Sequence, residues 1–184
     1  MTIDAAAAAL LISAVTLLFA FSVSHKIRSP QHFAAVLADY QIMPDGLVPA
    51  ASWVVISAEL AVVALVLLGQ AAAALMLAGL LMAGYTFGIA LNLLRGRRDI
   101  DCGCAGPAAS QTLSGWLLLR NVLLLTVIAV ALVPGQGRTL GWFDWLTVTL
   151  GLAAAAALYG AANTLIASHL RLTTNTEARL WKTR

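Results

Sequence analysis

Both cysteines of the 184-residue chain fall in one short run, Asp101-Cys102-Gly103-Cys104-Ala105-Gly106-Pro107. A bridge between cysteines one residue apart closes only a tiny loop, gains little chain entropy and staples no distant parts of a fold. Three chemistries suit the spacing. Gly103 allows backbone conformations that a side chain would forbid, and a strained, exposed disulfide is the labile kind, so a thiol–disulfide redox pair is one. Arg95, Arg97 and Arg98 would favour the thiolate there, opposed by Asp99 and Asp101. The second is a two-thiolate site for a soft metal such as Cu(I) or Zn. Four-coordinate zinc needs further ligands, however, and the histidines are His25, His32 and His169. The third is a pair of inert thiols in a turn.

Polar groups inside apolar segments are costly to bury without partners. Glu59 lies 11 residues into one such segment and Arg120 lies 7 into another. At helical rise both sit ~10–17 Å below the cysteine-bearing face, so a Glu59–Arg120 ion pair is expected. Asn121 follows Arg120, Asn92 closes a third segment, and His25 and Lys26 close the first. All converge beneath the Cys-Gly-Cys turn, either as a functional polar pocket or as a buried salt bridge that only fixes packing. Tyr85, Tyr159 and Asn163 read as packing or interhelical hydrogen-bonding groups.

The elements that must position these residues are membrane helices. Hydrophobic residues make up 61% of the chain and charged ones 10%, with a mean hydropathy of +0.89. A soluble domain carries about 25% charged residues, so a water-soluble globule is excluded, as are a disordered chain and a disulfide scaffold. The formal charge of +3 is too small to argue for nucleic acid. Apolar stretches at 5–23, 48–68, 71–94, 113–133 and 142–167 are each long enough to cross a ~30 Å hydrocarbon layer. No basic residue precedes the first and its apolar core is too long for a secretory signal, so it reads as a retained span. Trp53, Trp116, Trp142 and Trp145 fall near segment ends, at headgroup level. Residues 1–167 read as one transmembrane domain and 168–184 as a polar, basic tail.

Only Gly69-Gln70 separates the second and third segments, which predicts a tight helical hairpin. Gly84 and Gly88 give a GxxxG spacing that permits close helix approach. Between the first two segments, Ser29-Pro30 supplies an N-cap and first-turn pair. Phe33, Val36, Leu37 and Tyr40 then recur at i, i+3, i+4 and i+7, opposite Gln31, His32 and Asp39. A short amphipathic helix over 30–40 follows, either in the membrane interface or capping the bundle.

With five crossings, the amino-terminal face holds one basic residue, Arg138. The opposite face holds nine: Lys26, Arg28, Arg95, Arg97, Arg98, Arg171, Arg179, Lys182 and Arg184. The positive-inside rule then puts the amino terminus outside and the carboxyl terminus and cysteines in the cytoplasm.

The run Ser24-His25-Lys26-Ile27-Arg28, with Phe33, Asp39-Tyr40, Met43-Pro44, Glu59, Arg95-Gly96-Arg97, Asp101-Cys102-Gly103-Cys104-Ala105-Gly106 and Arg120-Asn121, resembles the methylamine-utilisation protein MauE family. That family is grouped with DoxX-like, redox-associated membrane proteins. Ala105 stands where many members carry Phe. The resemblance covers about residues 10–130. It implies a protein of the bacterial inner membrane that matures a periplasmic, disulfide-rich amine dehydrogenase beside a thioredoxin-like partner, membrane-anchored or periplasmic. The layout also resembles the four-helix bundle of vitamin K epoxide reductases, which couple a cysteine pair to a quinone. The chain departs from those in having CxC rather than CxxC and no second cysteine pair in its first loop.

The expected fold is an all-α, polytopic transmembrane bundle: a four-helix core of the DoxX or vitamin K epoxide reductase kind, a fifth helix, and a short interfacial helix. The expected chemistry is thiol–disulfide exchange by Cys102 and Cys104, with Glu59, Arg120, Asn121, Asn92, His25, Lys26 and Arg95 as supporting groups, no metal ligands, and a quinone as candidate cofactor. The competing reading is a non-enzymatic assembly scaffold or a Cu/Zn-handling protein. Disulfide formation in an exported client needs thiols on the outer face, whereas the charge count puts them inside. The direction of electron flow is therefore left open.

Overall fold

The computed structural model describes the backbone of residues 2–97, 100–102 and 113–182; beyond residue 161 it describes the side chain of Thr164 alone. The helices are α1 (Ala5–Arg28), α2 (Pro30–Asp39), α3 (Val48–Leu67), α4 (Ala71–Leu94), α5 (Gly115–Ala131) and α6 (Trp142–Lys182), with a 3-10 turn at Asp45–Leu47. They form two compact units, Met1–Leu140 and Gly141–Arg184.

In the first unit α1 packs on α3 and α5, α3 on α4, and α4 on α5, a closed ring of four. Its polarity is inverted relative to a soluble bundle. Leu17, Phe21, Leu60, Leu80, Phe87 and Leu123 face outward, while Glu59, Asn92 and Asn121 are buried. That arrangement suits lipid as solvent, where apolar side chains lose nothing outside and polar groups must find partners inside. Ala74 and Ala78 are fully buried, and Gly79 leaves only van der Waals distance to Ile128. Small residues let the backbones of α4 and α5 approach. Four helical stretches, Ala5–Arg28, Asp45–Leu67, Ala71–Leu94 and Trp142–Ala161, are long and apolar enough to cross a membrane. The 17 residues of α5 fall at the short end of the spanning range. The molecule is an all-α, multi-pass membrane protein.

Capping explains where these helices stop. Gly69 takes φ +76°, Gln70 N donates to Leu65 O and Gly69 N to Val66 O, a Schellman close that turns α3 into α4 within the expected hairpin. Gly96, at φ +75°, ends α4 in the same way, with Arg97 N donating to Asn92 O. At the opposite end of the bundle Asp4 caps α1 through Ala6 N (2.8 Å) and pairs with Arg138 (3.1 Å). Ile3 and Gln136 exchange backbone bonds with that segment, Ile3 N donating to Pro134 O and Gln136 N to Ile3 O.

The helix α2 appears as expected from its periodicity, with Pro30 in the first turn, but the Ser29 hydroxyl makes no capping bond. Phe33 and Val36 are buried, and α2 packs against α3, so its apolar stripe closes the end of the bundle. In the second unit, Asp144 accepts from Gly141 N (2.8 Å), half of a capping box that starts α6. Trp142, Phe143 and Trp145 are exposed there. The helix continues through Lys182, beyond the apolar stretch read at 142–167; the side chains of Asn163 and His169 lie outside the described residues.

Candidate functional site

Lys26, on the last turn of α1, reaches inward to Glu59 on α3. Its Nζ lies 2.5 Å from Glu59 Oε1, at 4% and 0% exposure. Nζ also donates to Tyr85 OH (3.1 Å), and that hydroxyl donates to Glu59 Oε1 (2.6 Å). Ser22 Oγ, one turn back on α1, donates to Oε1 at 3.1 Å and lies 3.3 Å from Oε2. The ammonium sits 4.6 Å from the Phe33 ring centroid and 4.8 Å from that of Tyr85, close enough for cation–π attraction. Of its three N–H groups, two have acceptors; the third has none among the described residues.

The Glu59–Arg120 pair expected from depth does not form. Glu59 faces α1 and α4, where Lys26 and Tyr85 satisfy it. Arg120, on α5, turns to the cysteine loop and places Nη2 3.8 Å from Cys102 Sγ. The rotational phase of each helix, which depth along an axis does not give, chooses these partners.

Cys102 is 9% exposed and packs with Val36, Tyr40, Ile89, Ile100, Leu113 and Leu117. Tyr40 OH lies 3.5 Å from the Cys102 carbonyl oxygen that accepts from it. A cavity of about 80 Å³ runs between this cysteine and the ion pair, walled by Lys26, Phe33, Tyr40, Gly84, Tyr85 and Cys102 among others. Both glycines of the GxxxG spacing face it. A Cβ on Gly88 would meet the Tyr40 ring at 3.3 Å, and one on Gly84 would meet nothing within 4 Å. Gly88 thus admits Tyr40 and Gly84 leaves open space, rather than the two bringing two helices together.

Of the residues singled out from sequence, Lys26 and Cys102 line the cavity, Glu59 holds Lys26 from behind, and Arg120 touches the sulfur. Asn92 and Arg95 brace the connection after α2. Asn92 Nδ2 donates to Tyr40 O (3.2 Å) and Gly88 O (3.1 Å), and Arg95 Nη1 to the carbonyl of Gln41 (3.2 Å), a residue at φ +48°. His25 stacks edge-on against Phe21 at 4.5 Å, away from the cavity. Asn121 is 2% exposed, and its Nδ2 has no hydrogen-bond partner among the described residues. Cys104 lies outside the described residues. The hydrogen-bonding role of Tyr85 was legible; those of Ser22 and Tyr40 were not. Ser22 and Lys26, a polar i, i+4 pair on one face of an apolar helix, were the available signal.

Residues 4–134 match the family described as methylamine utilisation protein MauE. The chain belongs to the MauE family. It is similar to the methylamine utilization protein MauE of Paracoccus denitrificans, 35% identical over 122 residues, or 66% of this chain and 65% of the relative. The chain therefore spans just under two thirds of that relative's length. It is also similar to the MauE proteins of Methylorubrum extorquens (36% over 152 residues; 79% of this chain and 80% of the relative) and Methylophilus methylotrophus (31% over 156; 83% and 82%). No solved structure matches. The MauE match takes in all four helices of the ring, with the ion pair, the residues that line the cavity and the Cys-Gly-Cys sequence.

Proposed function

We propose that this member of the MauE family serves methylamine utilisation as a membrane thiol–disulfide exchange protein. Cys102 and Cys104 cycle between dithiol and disulfide, exchanging electrons with a thioredoxin-like partner, membrane-anchored or periplasmic, in the maturation of an amine dehydrogenase. The carrying observation is the contact of Arg120 Nη2 with the Sγ of Cys102, a residue that lines the cavity. A guanidinium beside a sulfur stabilises the thiolate, which is the species that attacks a disulfide. Placement in a bacterial inner membrane with the amino terminus outside is supported by the charge asymmetry. Arg138, the single basic residue of that face, is moreover paired with Asp4.

A quinone oxygen suits the polar end of the cavity in chemistry. Lys26, whose third N–H lacks an acceptor among the described residues, would hold a ring oxygen. The group would supply a two-electron acceptor for the thiols.

The test replaces Cys102 and Cys104 singly by Ser in cells maturing the dehydrogenase. Loss of maturation, with a reducible adduct to a thioredoxin-like protein, supports exchange. Undiminished maturation in both variants overturns it in favour of an assembly scaffold.

A further inference from the structure

We infer that the cavity opens sideways into the bilayer at Gly84, and that its ligand is a neutral amphiphile dissolved in the membrane, whose oxygen reaches Lys26 while its apolar remainder stays in lipid. The inference rests on the reading of Lys26 as the group that holds an oxygen, and not on the chemistry of the thiols. Gly84 lines the cavity and is itself exposed. It lies between Leu80, 71% exposed, and Phe87, 64% exposed, at the i−4 and i+3 spacings that share one helix face. A side chain at Gly84 would meet nothing within 4 Å. One turn further on, Gly88 is buried, and a side chain there would meet Tyr40 at 3.3 Å and Ile42 at 3.4 Å. The wall that α4 contributes is thus closed at Gly88 and open at Gly84. At helical rise Gly84 is ~15 Å from the Leu94 end of α4, well inside a ~30 Å hydrocarbon layer. What enters there comes out of lipid, not water.

The inner end selects the head group. Lys26, 4% exposed, is paired with Glu59 and donates to Tyr85 OH, which leaves one N–H without an acceptor among the described residues. The ion pair is neutral as a whole. An anionic head group would add an uncompensated charge to a buried space, whereas a neutral oxygen accepts the remaining N–H without that cost. Fatty acids and phospholipids are therefore disfavoured, and a carbonyl-type oxygen is favoured. Between Lys26 and Gly84 the lining is aromatic and aliphatic, from Phe33, Val36, Val55 and Ile89. It suits the apolar part of the ligand next to the oxygen, and the exposed gap at Gly84 gives the rest of that apolar part a way out.

The test uses the full-length chain in phosphatidylcholine vesicles, with Cys102→Ser and Cys104→Ser so that no thiol chemistry takes part. Two neutral carbonyl probes with fully substituted rings, decylubiquinone with a long tail and duroquinone with none, are compared with the anionic dodecanoate. The readout is the rise in melting temperature with mole fraction of probe in the lipid, since a ligand of the folded state stabilises it. Both quinones should give a saturable rise at similar mole fractions, because the tail stays outside, and dodecanoate should give none. Gly84→Leu should raise the half-saturating fraction of both on the order of tenfold by filling the gap. Leu80→Phe, on the same stripe but not lining the cavity, should leave it unchanged. Lys26→Met with Glu59→Gln should weaken both quinones on the order of tenfold through the lost hydrogen bond. Duroquinone binding with decylubiquinone shut out, or Gly84→Leu without effect, overturns the opening to lipid while leaving Lys26 as the oxygen holder. Dodecanoate binding as well as the quinones overturns the neutral head group. No saturable rise with either quinone overturns the inference and the role of Lys26 together, and thiol exchange then stands or falls on the maturation test alone.

Discussion

Lys26 Nζ and Glu59 Oε1 are 2.5 Å apart inside the four-helix unit, on helices that carry almost no other charge over their spanning lengths. Removing one partner of such a pair strands a charge in a low-dielectric interior, whereas removing both leaves nothing to solvate. Glu59→Gln or Lys26→Met should each cost about 3–5 kcal/mol, and the double variant should recover most of it. Arg120→Met combined with Glu59→Gln should show simple additivity, since no bond joins those residues. Denaturation of the purified protein in detergent measures these variants together with Arg120→Met alone, and coupling between 59 and 120 with none between 26 and 59 would reverse the assignment.

Gly84 and Gly88 face the same cavity with opposite tolerances. At Gly84 the space is open, and alanine is the better helix former by about 1 kcal/mol, so Gly84→Ala should hold or raise the melting temperature. At Gly88 a side chain meets the Tyr40 ring at 3.3 Å. Gly88→Val should therefore cost about 1–3 kcal/mol through overpacking. Equal melting temperatures for the two variants would mean that Tyr40 does not sit against α4.

Asp4 has its carboxyl held below the ordinary value of 3.8, first by its bond to Ala6 N and further by Arg138. A carboxyl lowered on folding contributes stability that is fully present above its unfolded value and is lost as pH falls through the folded one. Unfolding curves should thus show an acid loss confined to pH below about 3.8 for this group, and none on the neutral side. Asp4→Asn keeps a capping oxygen and should flatten that acid limb. An unchanged limb in Asp4→Asn would assign the loss to other carboxyls.

The amino-acid order alone determined the helical class, the apolar spans, the Gly69-Gln70 hairpin and the short helix after Pro30, because each depends on local periodicity and on residues with restricted or permissive backbones. It also led to the expectation that Glu59, Asn92 and Arg120 would gather toward the end that carries the cysteines, since depth in a helix is residue count times rise; of the cysteines, the described residues place Cys102 alone, beside Arg120. Partner choice was decided only by the tertiary structure. A turn of about 100° per residue, together with the ring order of α1, α3, α4 and α5, sends Glu59 to Lys26 and Tyr85, and Arg120 to Cys102. Lys26 could be placed at the end of its span but not joined to Glu59, because a long lysine stem lets an ammonium anchored at a helix end reach back into the interior. The cavity was equally illegible: Gly88 lies against the Tyr40 ring and Gly84 leaves open space beside it, a complementarity between segments some 45 residues apart that no local pattern encodes.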